Sequence, residues 1–311
     1  MTLGRVVGRR IRDVLVITIA PVFRLCGALV ARSSFLRACR YSALDRQVLA
    51  TVANGMTFVV NTADQVIARD MVVHGTFDLI KAKKALTIAG CQGSDTVFVD
   101  VGANIGSICL PLVQMDRIRT AIAIEPDPTN VTLLRANIVL NRLDERVTVH
   151  HTAVGAFQDE RLTFELSNDN FGDHRISTTT SAGRYGEDQR RTIDVPSTTL
   201  DSLLDAFHDR KLFIWIDTQG YEGFILKGAE CILQSAPPLV IEFWPYGMAR
   251  AGSYAALKAA LLNGRYRTWY DLSEDAPVGR HLDEAALDAV YAALAEEGDF
   301  TDLLLLADGP A

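Results

Sequence analysis

The stretch Thr96-Val97-Phe98-Val99-Asp100-Val101-Gly102-Ala103-Asn104-Ile105-Gly106 decides the fold. Thr96–Val101 is an apolar run broken inside by one acid, Asp100, as expected of a strand covered on both faces. Gly102 and Gly106 then let the chain turn sharply and start a helix close to the sheet. The same unit repeats outward from it. Thr120–Ile124 reads as a second strand, and Pro128–Leu140 as a helix with proline in its first turn. Val147–His151, Lys211–Asp217 and Leu239–Phe243 read as third, fourth and fifth strands, with helices over Ile105–Met115 and Phe224–Gln234. Such alternation predicts an α/β protein with a parallel sheet and helices on both faces. Upstream, Thr57–Val60 and Gln65–Ala68 read as short strands and Phe77–Ala89 as a helix. In the tail, a helix, strand Tyr266–Asp271, helix Asp283–Glu297 and strand Phe300–Ala307 permit several pairings.

The organisation expected is a basic, partly apolar N-terminal helical segment over 1–45 and one domain over 46–311. Within that domain, 46–90 holds β and helical elements and 91–157 the cofactor-binding core. Residues 158–200 form a polar insertion containing strand-like Arg161–Leu166, and 201–311 form the catalytic and C-terminal half.

The chain has 311 residues, 49% hydrophobic and 22% charged, which excludes a disordered, collagenous or coiled-coil protein. A net charge of −7 argues against a broad nucleic-acid face, and no NPPY or DPPY tetrapeptide is present. Five dispersed cysteines without a CxxC pair point to a reducing, cytoplasmic compartment. His74, His174, His208 and His281 lack metal-ligand spacing, so no metal is expected. The charge is uneven. Residues 1–40 hold eight arginines and one acid, Asp13, around the apolar run Val14–Phe23. That segment is open to four readings: a helix packed on the domain, a basic amphipathic segment on an anionic membrane, a signal peptide, or a span that must tolerate Arg24.

Ligands of such sheets bind outside the carboxyl ends of the strands. Glu125 ends the second strand, where an acid can accept hydrogen bonds from ribose hydroxyls. The loop spacing is GxxxG rather than GxGxxG, and Asp100 stands close by. A carboxylate there repels a pyrophosphate but suits the ammonium and sulfonium groups of S-adenosylmethionine. An alcohol acceptor needs a general base. Asp217, ending the fourth strand, faces the cleft; Glu242, inside the fifth, has either orientation open. His150 and His151 end the third strand and read as structural. Phe243, Trp244 and Tyr246 either line an acceptor pocket or pack in the core.

Four stretches resemble the FkbM family of S-adenosylmethionine-dependent methyltransferases: Phe98–Gly106; Ile124-Glu125-Pro126-Asp127-Pro128 with Leu134-Arg135-Ala136-Asn137-Ile138; His151-Thr152-Ala153-Val154-Gly155; and Ile214–Gly228. The last is similar to the signature IDxEGxExxxLKG through Asp217, Gly220, Glu222, Leu226, Lys227 and Gly228, with Gln219 in place of the commoner glutamate. The resemblance implies the class I methyltransferase (Rossmann-like) fold, a seven-stranded sheet whose last strand is antiparallel, plus an N-terminal helical/β extension. It implies O-methylation of a hydroxyl on a sugar, glycolipid or natural product, with S-adenosylmethionine as cofactor. Asp100, Gly102, Asn104 and Gly106 would hold its methionine end, Glu125 its ribose, and Ala153 and its neighbours its adenine, with Pro126 a further cofactor contact. Asn170-Phe171-Gly172-Asp173-His174-Arg175 is similar to NxGDHR stretches found in part of the family. It adds His174 to Asp217 as a catalytic candidate, and Asp173 and Arg175 to Gln219 and Glu222 as acceptor contacts. The rival readings are a dinucleotide-dependent oxidoreductase and a non-catalytic nucleoside-binding relative. The expected partner is a small-molecule, glycan or lipid-linked acceptor, with peripheral membrane contact through the basic N-terminus.

Overall fold

In the computed structural model of the chain, the structure describes residue 30, residues 32–44 and residues 48–307. Val14–Phe23 and most of the basic N-terminal segment lie outside the described residues. The elements run in chain order as α1 (Ser34–Ser42), β1 (Val48–Ala53), β2 (Met56–Asn61), α2 (Ile67–Val73), α3 (Leu79–Ile88), β3 (Gly93–Val101), α4 (Cys109–Gln114), β4 (Ile118–Ile124), α5 (Pro128–Leu140) and β5 (Val147–His150). There follow β6 (Ala153–Val154), β7 (Glu160–Leu166), β8 (Arg175–Ile176), β9 (Arg191–Thr198), α6 (Leu200–Leu204), β10 (Lys211–Ile216), α7 (Glu222–Lys227), α8 (Glu230–Leu233) and β11 (Leu239–Phe243). The chain closes with α9 (Pro245–Ala251), α10 (Tyr254–Asn263), β12 (Thr268–Asp271), β13 (Arg280–His281), α11 (Glu284–Glu297) and β14 (Thr301–Leu306).

The main sheet has the order β13-β12-β14-β11-β10-β3-β4-β5. Strands β5, β4, β3, β10 and β11 are parallel, and β14 is antiparallel to both β11 and β12. The seven strands of the expected sheet are therefore present with the last one reversed. The eighth, β13, is a two-residue hairpin partner of β12. Period-two alternation sends Val97, Val99, Val101, Ile214, Ile216, Leu239, Ile241, Leu303 and Leu305 into one helix-covered core. Phe98, Phe213, Trp215, Val240 and Leu304 go into the other. Phe98 and Phe213 sit in register and stack at 5.5 Å. Burying each such side chain stabilises the fold by roughly 1.5–3 kcal/mol.

Helix α5 has the bounds its sequence predicts, with Asp127 as N-cap accepting from the Thr129 N–H at 3.0 Å and proline in the first turn. Its Asn137 and Asn141 amides bond the backbone of Val59 and Thr57, which covers the edge of the β1–β2 hairpin. Strands β7, β8 and β9 of the insertion join β6 in a separate four-stranded sheet, β6-β9-β7-β8.

Three local expectations change. Gln65–Ala68 is not a strand: the Asp64 carboxylate accepts the N–H groups of Val66, Ile67 and Ala68 and starts α2. The helix expected over Ile105–Met115 is confined to Cys109–Gln114, because residues 104–108 are turns. The helix expected over Phe224–Gln234 divides into α7 and α8. A Cβ at Gly228 would overlap the Gly155 carbonyl, and Asp201 caps α8 by accepting from Cys231 and Ile232, each at 2.9 Å.

Candidate active site

The alternation that builds the core also gathers the acids. Asp100 is opposite Trp215 in the β3–β10 register, and Glu242 is opposite Asp302 in the β11–β14 register. Asp100, Glu242 and Asp302 therefore share the sheet face of Phe98, Trp215, Val240 and Leu304. Asp217 follows β10 at the same end. The orientation of Glu242 left open by the sequence is settled by this pairing.

A cavity opens at the carboxyl ends of β3, β4 and β10. Gly102 forms its floor at φ +91°, and a Cβ there would overlap the Asp217 carbonyl oxygen. Only glycine allows the two strand-end loops to touch in this conformation. Glu125 braces the other side: its Oε2 accepts the Asn104 N–H at 2.8 Å and its Oε1 the Asp127 N–H at 2.9 Å. Each oxygen keeps a second lone pair for a ligand hydroxyl. Burial pushes the Glu125 carboxyl up to about 8, the backbone donors opposing it only in part. Burial likewise pushes Asp100 up to about 6, against hydrogen bonds from Cys109. Asp100 Oδ2 is buried and has no hydrogen-bond partner, so a cationic donor fits there.

The loop after β10 carries a second set of carboxylates. Gln219, at φ +58°, donates through Nε2 to Asp217 Oδ1 at 2.8 Å and to Glu242 Oε1 at 3.0 Å. Burial raises both carboxyls well above the carboxylate range; the nearby charges Asp302 on Asp217, and Asp217 on Glu242, add to it. Lys81 reaches Asp302 at 2.7 Å and Asp78 at 3.3 Å. Glu222 is fully buried, and its Oε1 accepts from Thr218 N, Thr218 Oγ1 and Gly220 N at 2.9–3.2 Å. It holds the loop that presents Asp217.

The insertion closes the cavity from above the strand ends. Asn104 Nδ2 donates to the Phe171 carbonyl at 2.9 Å. His174 Nδ1 accepts the Ser167 N–H at 3.0 Å, which leaves its proton on Nε2, 3.6 Å from Asp127 Oδ2. Burial raises the Asp127 carboxyl, but the His174 hydrogen bond and the N–H groups of α5 outweigh it and hold it below its usual value. Both His174 nitrogens are thus engaged by protein. Asp173 and Arg175 point elsewhere. Arg175 pairs with Asp173 at 2.6 Å and Glu165 at 3.2 Å, and lies 4.9 Å over the Trp244 ring. Arg190 also pairs with Asp173, and Tyr246 donates to Glu187 at 2.7 Å. This buried network clamps the insertion onto α9.

Residues 100–267 match the model of the methyltransferase FkbM domain, more than half of the chain. The chain belongs to the FkbM methyltransferase family. Among solved structures, it is similar to methyltransferase FkbM from Methylobacillus flagellatus KT, with 23% identity and a TM-score of 0.40 over 68% of this chain and 44% of that one. The chain thus spans less than half the length of that relative. It is also similar to Pyrococcus horikoshii TYW2 in complex with MeSAdo, with 16% identity and a TM-score of 0.36 over 85% of this chain and 73% of that one. A third is the Bacillus subtilis tRNA methyltransferase TrmK, with 13% identity and a TM-score of 0.37 over 73% and 67% of the two chains. No curated protein sequence matches this chain.

Within this FkbM-family chain, the cavity brings together Asp100, Gly102, Asn104, Glu125, Pro126, Ala153, His174 and Asp217. Gly106, Asp173, Arg175, Gln219 and Glu222 do not line it. Gly106 instead packs against Leu110 and Leu134, where a Cβ would lie 2.6 Å and 2.8 Å from their side chains. Phe243 belongs to the core, edge-on to Tyr254 and Tyr291. Trp244 and Tyr246 instead cluster with Tyr185 of the insertion. Ile67, Phe77, Trp215, Thr218 and Tyr221 also line the cavity. Trp215 and Tyr221 lie within the matched signature stretch, whereas nothing in the local sequence marks Ile67 or Phe77. Among the described residues, no group of His, Cys, Asp and Glu is arranged to hold a metal ion. No helix among them is long and apolar enough to cross a membrane.

Proposed function

We propose that the chain is an S-adenosylmethionine-dependent O-methyltransferase acting on a hydroxyl of a sugar, glycolipid or natural product. One observation carries the reading: a single cavity is lined by a buried Asp100 whose Oδ2 has no hydrogen-bond partner, by Glu125 and by Asp217. The residues fit the cofactor. Asp100 and the loop from Gly102 to Asn104 would hold its ammonium end, Glu125 its ribose hydroxyls, and Pro126 and Ala153 its base. When bound, S-adenosylmethionine supplies an activated methyl group. The chain's own work is alignment, exclusion of water and proton transfer. Asp217 accepts the proton that the acceptor hydroxyl loses, and its raised pKa brings it toward the range where a carboxylate is an effective base. Gln219 fixes the Asp217 carboxylate, and Glu222 fixes the loop beneath it. His174, with both nitrogens engaged, positions the insertion rather than moving a proton. Apolar Ile67 and Phe77 keep the cavity dry. A dinucleotide would place its pyrophosphate near the buried Asp100, which disfavours the oxidoreductase alternative.

Isothermal titration with S-adenosylhomocysteine and, separately, NAD tests the cofactor. Binding of the first alone, lost in Asp100→Ala, supports the reading; binding of NAD alone overturns it. Transfer of labelled methyl groups to a panel of glycans and glycolipids then tests the acceptor class.

A further inference from the structure

We propose that the outer face made by α1 and β1 is a docking surface for an anionic lipid bilayer. Scattered exposed apolar residues are ordinary on a soluble protein. Several of them lie on two elements that share a groove. Phe35 is 72% exposed on α1, and Val48 and Val52 are 62% and 69% exposed on β1. Strand alternation points Val48, Ala50 and Val52 outward together. A groove between the elements is lined by Val30, Arg40, Leu44, Leu49 and Val52.

The sequence of this face is mostly basic. Residues 32–53 contain Arg32, Arg37, Arg40 and Arg46 against one acid, Asp45. Arg37 Nε is bonded to the Val73 carbonyl at 2.8 Å, whereas Arg32 and Arg40 are exposed. Asp70, one turn before His74 on α2, faces Arg69 at 3.5 Å and His74 at 3.9 Å. The chain arrives at the groove at Val30, directly from a sequence that holds five more arginines, a single acid and the apolar run Val14–Phe23. Apolar side chains flanked by cations, continuous with a basic apolar segment, are the chemistry of an interfacial contact with acidic lipids. A protein partner of matching acidic charge would not need the upstream apolar run.

The test uses the full chain with phosphatidylglycerol-containing vesicles and with pure phosphatidylcholine vesicles. The protein is expected to sediment with the first only, and less so as NaCl rises from about 0.05 to about 0.5 M. The triple variant Phe35→Glu, Val48→Glu, Val52→Glu is expected to bind at least about tenfold more weakly. Ile80→Glu, at a site 71% exposed elsewhere, is expected to bind as the parent does. If the triple variant does not fold, Arg32→Gln with Arg40→Gln reads the same surface by charge alone, with a loss of about tenfold. No vesicle binding by the parent protein overturns the proposal. So does undiminished binding by whichever of these variants folds. A solution dimer that the variants dissolve, without vesicle binding, assigns the face to a second copy and equally overturns it.

Discussion

Gln219 donates its side-chain amide to Asp217 Oδ1 over 2.8 Å, from a backbone position at φ +58°. The same nitrogen reaches Glu242, so one neutral amide separates two carboxylates that burial would otherwise force to share a proton. Its hydrogen bonds favour the ionised form of both and oppose burial.

Gln219→Ala removes that support, so the Asp217 carboxyl moves further up. The acid limb of the pH–rate profile is expected to shift upward by about one unit, with kcat at neutral pH falling about 10–100-fold. Asp217→Asn is expected to abolish transfer while changing S-adenosylhomocysteine affinity less than about threefold. Rates with an acceptor found by screening, beside calorimetric affinities, check both. An Asp217→Asn protein that keeps a tenth or so of its activity has another base.

Glu125 makes cofactor binding a proton-linked event. Its folded value, about 8, lies above the unfolded value. The native state thus holds a proton that the unfolded chain has released. That contribution to stability is full below pH about 4.3 and is lost as pH rises through about 8. Ribose hydroxyls donate to the carboxylate and favour its ionised form, so binding expels the proton. Asp100, pushed up to about 6, responds to an ammonium ligand with the same sign. Titration of S-adenosylhomocysteine near neutral pH is expected to release protons, and affinity is expected to rise from pH about 6 to about 8. Calorimetry in two buffers of different ionisation enthalpy measures the release directly; equal heats would contradict it.

Gly102→Ala is expected to destabilise the fold by at least about 3 kcal/mol, since the added methyl meets backbone rather than a movable side chain. Gly106→Ala, which meets only the side chains of Leu110 and Leu134, is expected to be milder. Urea unfolding of the two variants compares them, and a smaller loss at Gly102 than at Gly106 would be the wrong order.

What the sequence makes legible follows strand ends. β11 and α5 have the bounds their patterns predict, because each is delimited by its own turn or capping chemistry. Asp100, Glu125 and Asp217 are readable as neighbours because all three lie at the carboxyl ends of apolar runs. Glu242 was not assignable to a face until β11 paired with β14 in register. Gln65–Ala68 has strand-like residues, but Asp64 caps them into a helix. Ile67 and Phe77 reach the cavity through tertiary packing alone, which leaves no local pattern. Arg175 is read as an acceptor contact through the NxGDHR resemblance; its pairing with Glu165 and Glu187, from other segments, leaves no local signal.

Those partners set the last prediction. The Arg175 side chain is only 4% exposed; it faces Asp173, Glu165 and Glu187 and covers the Trp244 ring. Removing one member of a buried charge network leaves its partners uncompensated, which typically destabilises by about 3–5 kcal/mol. Arg175→Met keeps most of the volume but none of the charge, so its loss falls on the carboxylates. Arg190 and Arg250 remain near them and soften the effect. Arg175→Met is therefore expected to lower stability by about 3 kcal/mol and to open the insertion to protease between residues 177 and 190. S-adenosylhomocysteine affinity is expected to change little, because Arg175 does not line the cofactor cavity. Thermal melting, limited proteolysis and calorimetry separate the outcomes. A stable Arg175→Met protein that resists protease and loses only acceptor turnover would return Arg175 to the acceptor site.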